Sequence, residues 1–441
     1  MNPRKPLAFW IPLIIAVLII LVTFFAFGEN LISPDKDNTD SNINISNDAR
    51  KTIVFSFGGI DFNVNLKTQI SLFMQKYPHI EVKILQLPGS TDYQRNSYVS
   101  AFKSGDESVD VIMTDIIWTA EFASNGWVLP LDDYFTQEMR KEFIKGAIDG
   151  CTYEEKIYAI PKRSDVPLLY YRKDIIPKAP ETIEEMVEMV KKYKASSGVK
   201  YGYVFQGHLY EGLVCNALEF IWAYGGDVIR NGEIVINSPE SLKGLQTMVD
   251  IVNEGISSPD VLNFVEDDSM LAFQDGNALF MRNWPYAYKQ LNVEGSAIKG
   301  NVGICPIPKG EGATQRSTGT LGGWNYMINK NSKHPDEAWL LIEWLTSYDM
   351  QVLDSKTGGN PPTRTKVYSD YENQNDPFFG QMLSLMENVR LRPVSPDYPT
   401  LTELMQINFS NALYKKIDAQ TALKNIEDGM LKIMEKKING N

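Results

Sequence analysis

From Lys51 to Met113, short apolar runs alternate with amphipathic stretches. Thr52–Phe57 (TIVFSF) is β-branched and aromatic and is closed by Gly58-Gly59, the composition of a buried strand. Residues 64–76 place Leu66, Ile70, Phe73 and Met74 at helical spacing. Ile80–Leu87 reads as a second strand, 93–103 as a second helix and Val109–Met113 (VDVIM) as a third strand. Strand, helix, strand, helix and strand joined by short links predict a parallel, doubly wound sheet. Ligands of such sheets bind beyond the carboxyl ends of the strands. Gly58-Gly59 and Asp115 fall at two of those ends, so Asp115 is a candidate site residue by placement alone.

The same alternation continues. Ala159-Ile160-Pro161 leads into the strand-like Leu168-Leu169-Tyr170-Tyr171. Thr182 and Glu185 form a capping box, and Ile183, Met186, Val187, Val190 and Tyr193 share one helical face. Tyr201–Phe205 is a further strand, and 211–224, 239–254, 266–275 and 335–347 read as helices. The stretch 419–438 is helical, with Leu423, Ile426, Met430 and Ile433 inward. A chain of 441 residues exceeds one core, so an α/β protein of two lobes is expected.

Leu7–Phe27 carries no charge, about the length that spans a bilayer. Arg4 and Lys5 precede it, and Glu29, Asp35, Asp37 and Asp40 follow. Residues 1–28 therefore read as a transmembrane anchor or a cleaved signal peptide, with the remainder outside the cytoplasm. No cysteine stands near the end of this segment, which speaks against lipidation. Residues 29–50, rich in Asn, Asp and Ser, read as a flexible stalk. The net charge of −12 excludes a nucleic-acid surface. Cys151, Cys215 and Cys305 are either buried small hydrophobes or include a Cys151–Cys215 bridge.

Enzyme signatures are missing: the chain has no G-x-S-x-G elbow, phosphate loop or H-E-x-x-H. Its three histidines, His79, His208 and His334, have no ligand partner at i+4, so neither metal nor cofactor is expected. Two tryptophans stand apart. Trp284 sits in Arg282-Asn283-Trp284-Pro285-Tyr286, and Trp324 follows Leu321-Gly322-Gly323. Rings bracketed by Gly, Pro, Asn and Arg read as exposed. Flat aromatic faces beside a few polar groups suit a sugar, whose C–H faces stack on rings while its hydroxyls need directional partners.

Several motifs occur together and in order: Phe57-Gly58-Gly59, Gln94-Arg95, Ser124 to Trp127 (SNGW), Pro130 to Asp133 (PLDD), Leu168 to Asp174 (LLYYRKD), Tyr210 to Cys215 (YEGLVC), Arg282 to Ala287 (RNWPYA), Leu321 to Trp324 (LGGW), and Arg392-Pro393 with Tyr398-Pro399. Through them, nearly all of 51–438 resembles the sugar-binding proteins of ATP-driven importers. Within that family it resembles the trehalose/maltose binders. The resemblance implies a two-lobed periplasmic-binding-protein fold, here 51–162 with 316–358 and 163–315 with 359–441. It implies a monomeric, non-enzymatic subunit that captures a disaccharide by hinge closure and delivers it to a membrane permease. It carries sugar contacts onto Thr91, Arg95, Asp115, Asp165, Trp284, Tyr286, Gly323, Trp324 and Arg392.

Two departures stand out. Arg163 occupies a position where the resemblance implies Tyr, and Ile60-Asp61-Phe62-Asn63 stands where it implies a Glu shortly after the first Gly-Gly. Arg163 either engages an acidic or polar sugar substituent or pairs with Asp165. An exported glycan-active enzyme and a sugar-sensing subunit of a membrane kinase are the alternative functions.

Overall fold

The computed structural model describes residues 50–58, 64–88, 91–314, 319–370, 377–386 and 389–438. The apolar N-terminal run, the stalk to residue 49 and the Gly59–Asn63 departure lie outside the described residues. Among the described residues, no helix is long and apolar enough to cross a membrane.

In chain order the elements that position the site are β1 (Lys51–Gly58), α1 (Val64–Lys76), β2 (Ile80–Leu87), α2 (Thr91–Lys103), β3 (Val111–Asp115) and β4 (Ile160–Asp165). There follow β5 (Leu168–Arg172), α3 (Ile183–Ser197), β6 (Tyr201–Val204), α4 (Glu211–Ala223), α5 (Pro239–Asn253), α6 (Glu266–Gln274), β7 (Ala278–Asn283) and β8 (Val302–Pro306). The last are β9 (Gly322–Ile328), α7 (Pro335–Leu345), α8 (Tyr348–Gly358), α9 (Tyr398–Leu413) and α10 (Ala419–Ile438). At α3 the Thr182 hydroxyl accepts the Glu185 N–H at 3.1 Å, as the capping box predicts. Glu185 reaches back one residue further than expected, to the Glu181 N–H at 2.8 Å.

Two sheets organise the chain. The first is five-stranded, in the order β2-β1-β3-β9-β4, with β1 parallel to both its neighbours. β1, β2 and β3 are parallel, as their alternation predicts, whereas β9 runs antiparallel to both β3 and β4. β9 enters from the far side, after the chain has built the second sheet, and so arrives in the opposite direction. The second sheet has the order β8-β5-β7-β6.

Each sheet has its own core. Phe55, Phe57, Ile70, Val111, Tyr326, Met327 and Leu341 belong to the first; Leu169, Tyr170, Leu218, Phe280, Met405 and Phe409 belong to the second. Aligned burial at β7 is complete from Ala278 to Asn283. The chain crosses between cores with little slack: β4 ends at Asp165 and β5 begins at Leu168. The 359–368 stretch runs beside β4, with the Thr363 hydroxyl donating to the Pro161 carbonyl at 2.8 Å. All three cysteines are buried free thiols, so the Cys151–Cys215 bridge is not formed.

Candidate ligand-binding site

The first turn of β9 is the frame of the site. Gly322 lies opposite Asp165, while Trp324 is flanked by Asp115 of β3 on one side and Arg163 of β4 on the other. The strand register shifts between Trp324 and Asn325. Gly323 has φ +148°, and a β-carbon there would stand 2.5 Å from the Arg163 carbonyl oxygen. Only glycine fits both the dihedral and the space. The Trp324 ring, expected to be exposed, is half-buried at the start of a central strand, between two acidic strand ends.

Arg163 Nε pairs with Asp165 Oδ2 at 3.2 Å, and its guanidinium lies 5.7 Å from the Trp324 ring centre. Trp118 is buried and sets its edge against Trp324, with ring centres 6.1 Å apart. Asp115 accepts the Ile117 N–H at 3.1 Å and lies 3.5 Å from Arg392. Its side chain is 15% exposed. Burial pushes the Asp115 carboxyl from 3.8 up to about 6, an effect that the Arg392 charge partly offsets. Arg392 is buried; its Nη1 donates to Glu211 Oε1 at 2.7 Å, and its Nε has no hydrogen-bond partner among the described residues. Glu211 also accepts the hydroxyls of Tyr398, at 2.6 Å, and Thr402.

From the end of β7 in the second sheet, the Trp284 indole comes against β9. A β-carbon on Gly322 would stand 3.0 Å from that ring, so the glycine admits it. Trp284 is half-buried, as is Tyr286, whose hydroxyl feels the charges of Arg163 and Asp165. The fold therefore gathers Asp115, Arg163, Asp165, Trp284, Tyr286, Gly323, Trp324 and Arg392. Thr91 opens α2 and is half-buried. Arg95, one turn on, forks onto Glu121 through Nε at 2.8 Å and through Nη2.

Glu211, Glu219, Glu266 and Arg282 also belong to this region, and sequence reasoning assigned none of them a role. For three of them the signal was charge inside apolar runs: Arg282 is the penultimate residue of a wholly buried strand, and Glu211 and Glu219 lie on a wholly buried helix. Among the described residues, no group of three or more His, Cys, Asp or Glu is placed to hold a metal ion. Two partly exposed indoles beside carboxylates that are already oriented can stack a ring and accept its hydroxyls.

Residues 61–352 match the model of the bacterial extracellular solute-binding protein family. The chain belongs to that family. A probable ABC transporter-binding protein of Deinococcus radiodurans is 32% identical over 369 residues, 80% of this chain and 86% of that protein. Among solved structures, maltose-bound T. maritima MalE3 is 39% identical, covers 87% of this chain and 99% of its own, and superposes with a TM-score of 0.81. The GacH receptor of Streptomyces glaucescens shares the fold at 21% identity and a TM-score of 0.80, over 88% of this chain and 99% of its own. Two-lobed binding architecture and an extracytoplasmic solute-binding role are therefore properties of this chain.

Two outcomes follow from the geometry. Gly323→Ala is expected to lower stability by about 2 kcal/mol or more, through strain and the clash with the Arg163 carbonyl, and urea unfolding reads it. Because the Asp115 carboxyl is raised when folded, its protonated form favours the fold. That contribution is full below 3.8 and is lost as pH rises through about 6. Relative to Asp115→Asn, wild type is expected to lose about 3 kcal/mol of stability between pH 3.5 and pH 7, measured by paired urea titrations.

Proposed function

We propose that this chain is the sugar-capturing subunit of an ATP-driven importer, and that its ligand is a neutral disaccharide or short oligosaccharide of the maltose or trehalose type. The observation that carries this reading is the meeting of Trp284 and Trp324 at the Gly322-Gly323 edge, with Asp115 and Asp165 beside them. The maltose bound by the 39% identical MalE3 supports the ligand class. Arg163 supports a neutral sugar, because its charge is already compensated by Asp165 at 3.2 Å. Its place beside Trp324 makes it part of the wall around the sugar, where a guanidinium face takes over from an aromatic one.

In this reading 51–162 with 316–358 form one lobe and 163–315 with 359–441 the other. Sugar stacks on Trp284 and Tyr286 from one lobe and on Trp324 from the other. Asp115, Asp165 and Arg392 take its hydroxyls, and Thr91 and Arg95 border the opening. Contacts from both lobes are complete only when they close, so ligand shifts the population toward the closed state. A membrane permease then receives that state from a monomeric binder. The apolar segment 7–27 tethers the protein to the outer face of the membrane or serves as its export signal.

Calorimetric titration of the purified protein with maltose, trehalose and a uronic-acid disaccharide tests this. A neutral sugar is expected to bind with micromolar affinity, about −8 kcal/mol. Trp284→Ala and Trp324→Ala should each cost about 2 kcal/mol of that. Tight binding of the uronic-acid sugar alone, abolished by Arg163→Ala, would overturn the neutral-ligand reading.

A further inference from the structure

Behind Trp284 lies a buried polar network that joins β7, α4 and the loop after β6. Arg282 is fully buried on β7. Its Nε and Nη2 fork onto Glu219 of α4 at 3.1 and 2.6 Å, and its Nη1 donates to Gln206 Oε1 at 3.1 Å. Glu219 and Gln206 are themselves buried. The guanidinium lies 3.9 Å from the centre of the Trp284 ring, a stacking contact over one face of the indole.

The ring is also held in plane. Trp284 Nε1 donates to Glu266 Oε1 at 3.2 Å, and the other Glu266 oxygen accepts the Tyr210 hydroxyl at 2.7 Å. The backbone is pinned on both sides: the Trp284 N–H donates to Asn283 Oδ1 at 2.8 Å, and its carbonyl accepts the Tyr170 hydroxyl at 2.7 Å. Glu219 Oε1 also accepts the Thr320 N–H at 3.3 Å, on the segment that leads into Gly322 and Trp324. One buried carboxylate therefore touches the supports of both tryptophans.

A stacking platform free to rotate must be ordered when ligand arrives, and that ordering is subtracted from affinity. Here the ordering is done in advance, by a planar cation behind the ring and an acceptor at its edge. Lysine could keep the charge opposite Glu219 but not the flat, forked contact. We infer that Arg282 and Glu266 are positioning residues for the ligand platform. Arg282 sets the plane of the Trp284 indole, Glu266 sets its rotation, and Glu219 ties that arrangement to the segment carrying Trp324. The inference rests on the sugar-binding reading, and its test separates the two.

The test uses the full chain. The near-ultraviolet circular dichroism of wild type minus that of Trp284→Phe isolates the band of this indole. Glu266→Leu is expected to erase that band without sugar and to weaken maltose binding about tenfold, the loss of one oriented hydrogen bond. Glu266→Gln, whose amide oxygen still accepts from Nε1, is expected to keep both. Arg282→Lys should flatten the band and weaken maltose to a similar degree. Because it alters a buried pair, the Glu266 variants carry the decision if it fails to fold. A Glu266→Leu protein with the wild-type band and wild-type maltose affinity would overturn the inference. If wild type binds no sugar at all, the sugar reading fails and the dichroism still decides the positioning: band lost upholds it, band kept overturns it.

Discussion

A strand that must be threaded between two others from the opposite direction is the constraint on which this structure turns. β9 enters the first sheet after the chain has built the second, and it lies between β3 and β4 with its first residues at the acidic ends of both. A side chain at 323 would collide with the Arg163 carbonyl, and one at 322 would crowd the Trp284 ring. Two glycines remove both conflicts, and the third residue, Trp324, is thereby placed beside Asp115 and Arg163. The insertion that completes the sheet therefore also builds the floor of the candidate site, so sheet stability and the proposed ligand recognition share the same few residues.

Charge is handled in a consistent way around that floor. The cations bordering it are committed to carboxylates: Arg95 to Glu121, Arg163 to Asp165, Arg282 to Glu219, and Arg392 to Glu211 and Asp115. Buried pairs of this kind contribute little net stability against apolar replacements, yet breaking one is costly because it strands a charge. Their value lies in orientation. Fixed donors and acceptors lose less freedom when a ligand arrives, and that suits a solute-binding protein.

Local periodicity in the sequence carried the regular elements. The helix at 64–76 and the strand at 80–87 are found with the bounds that apolar spacing predicts, and β1 is one residue longer at each end. Several elements were not legible, among them β7, β8, α8, α9 and β9. α9 buries Tyr398, Leu401, Met405 and Phe409 at helical spacing, but Thr400, Thr402, Asn408 and Ser410 dilute the pattern with weak helix formers. β9 begins with two glycines, which are weak strand formers, and becomes a strand only through partners more than 150 residues away. The site divides in the same way. Trp284, Trp324 and Asp115 stood out from local context, and most of the others came from family resemblance. The Arg282–Glu219 pair, 63 residues apart, and the Arg392–Glu211 pair, 181 apart, exist only through tertiary contact.

Capture by closure of two lobes around a sugar is the claim that joins these observations. Small-angle X-ray scattering of the protein with and without saturating maltose tests it most directly. The account requires a smaller radius of gyration with maltose than without it, and no such contraction in the Trp284→Ala, Trp324→Ala double variant. Identical scattering curves, with maltose shown calorimetrically to be bound, would contradict it.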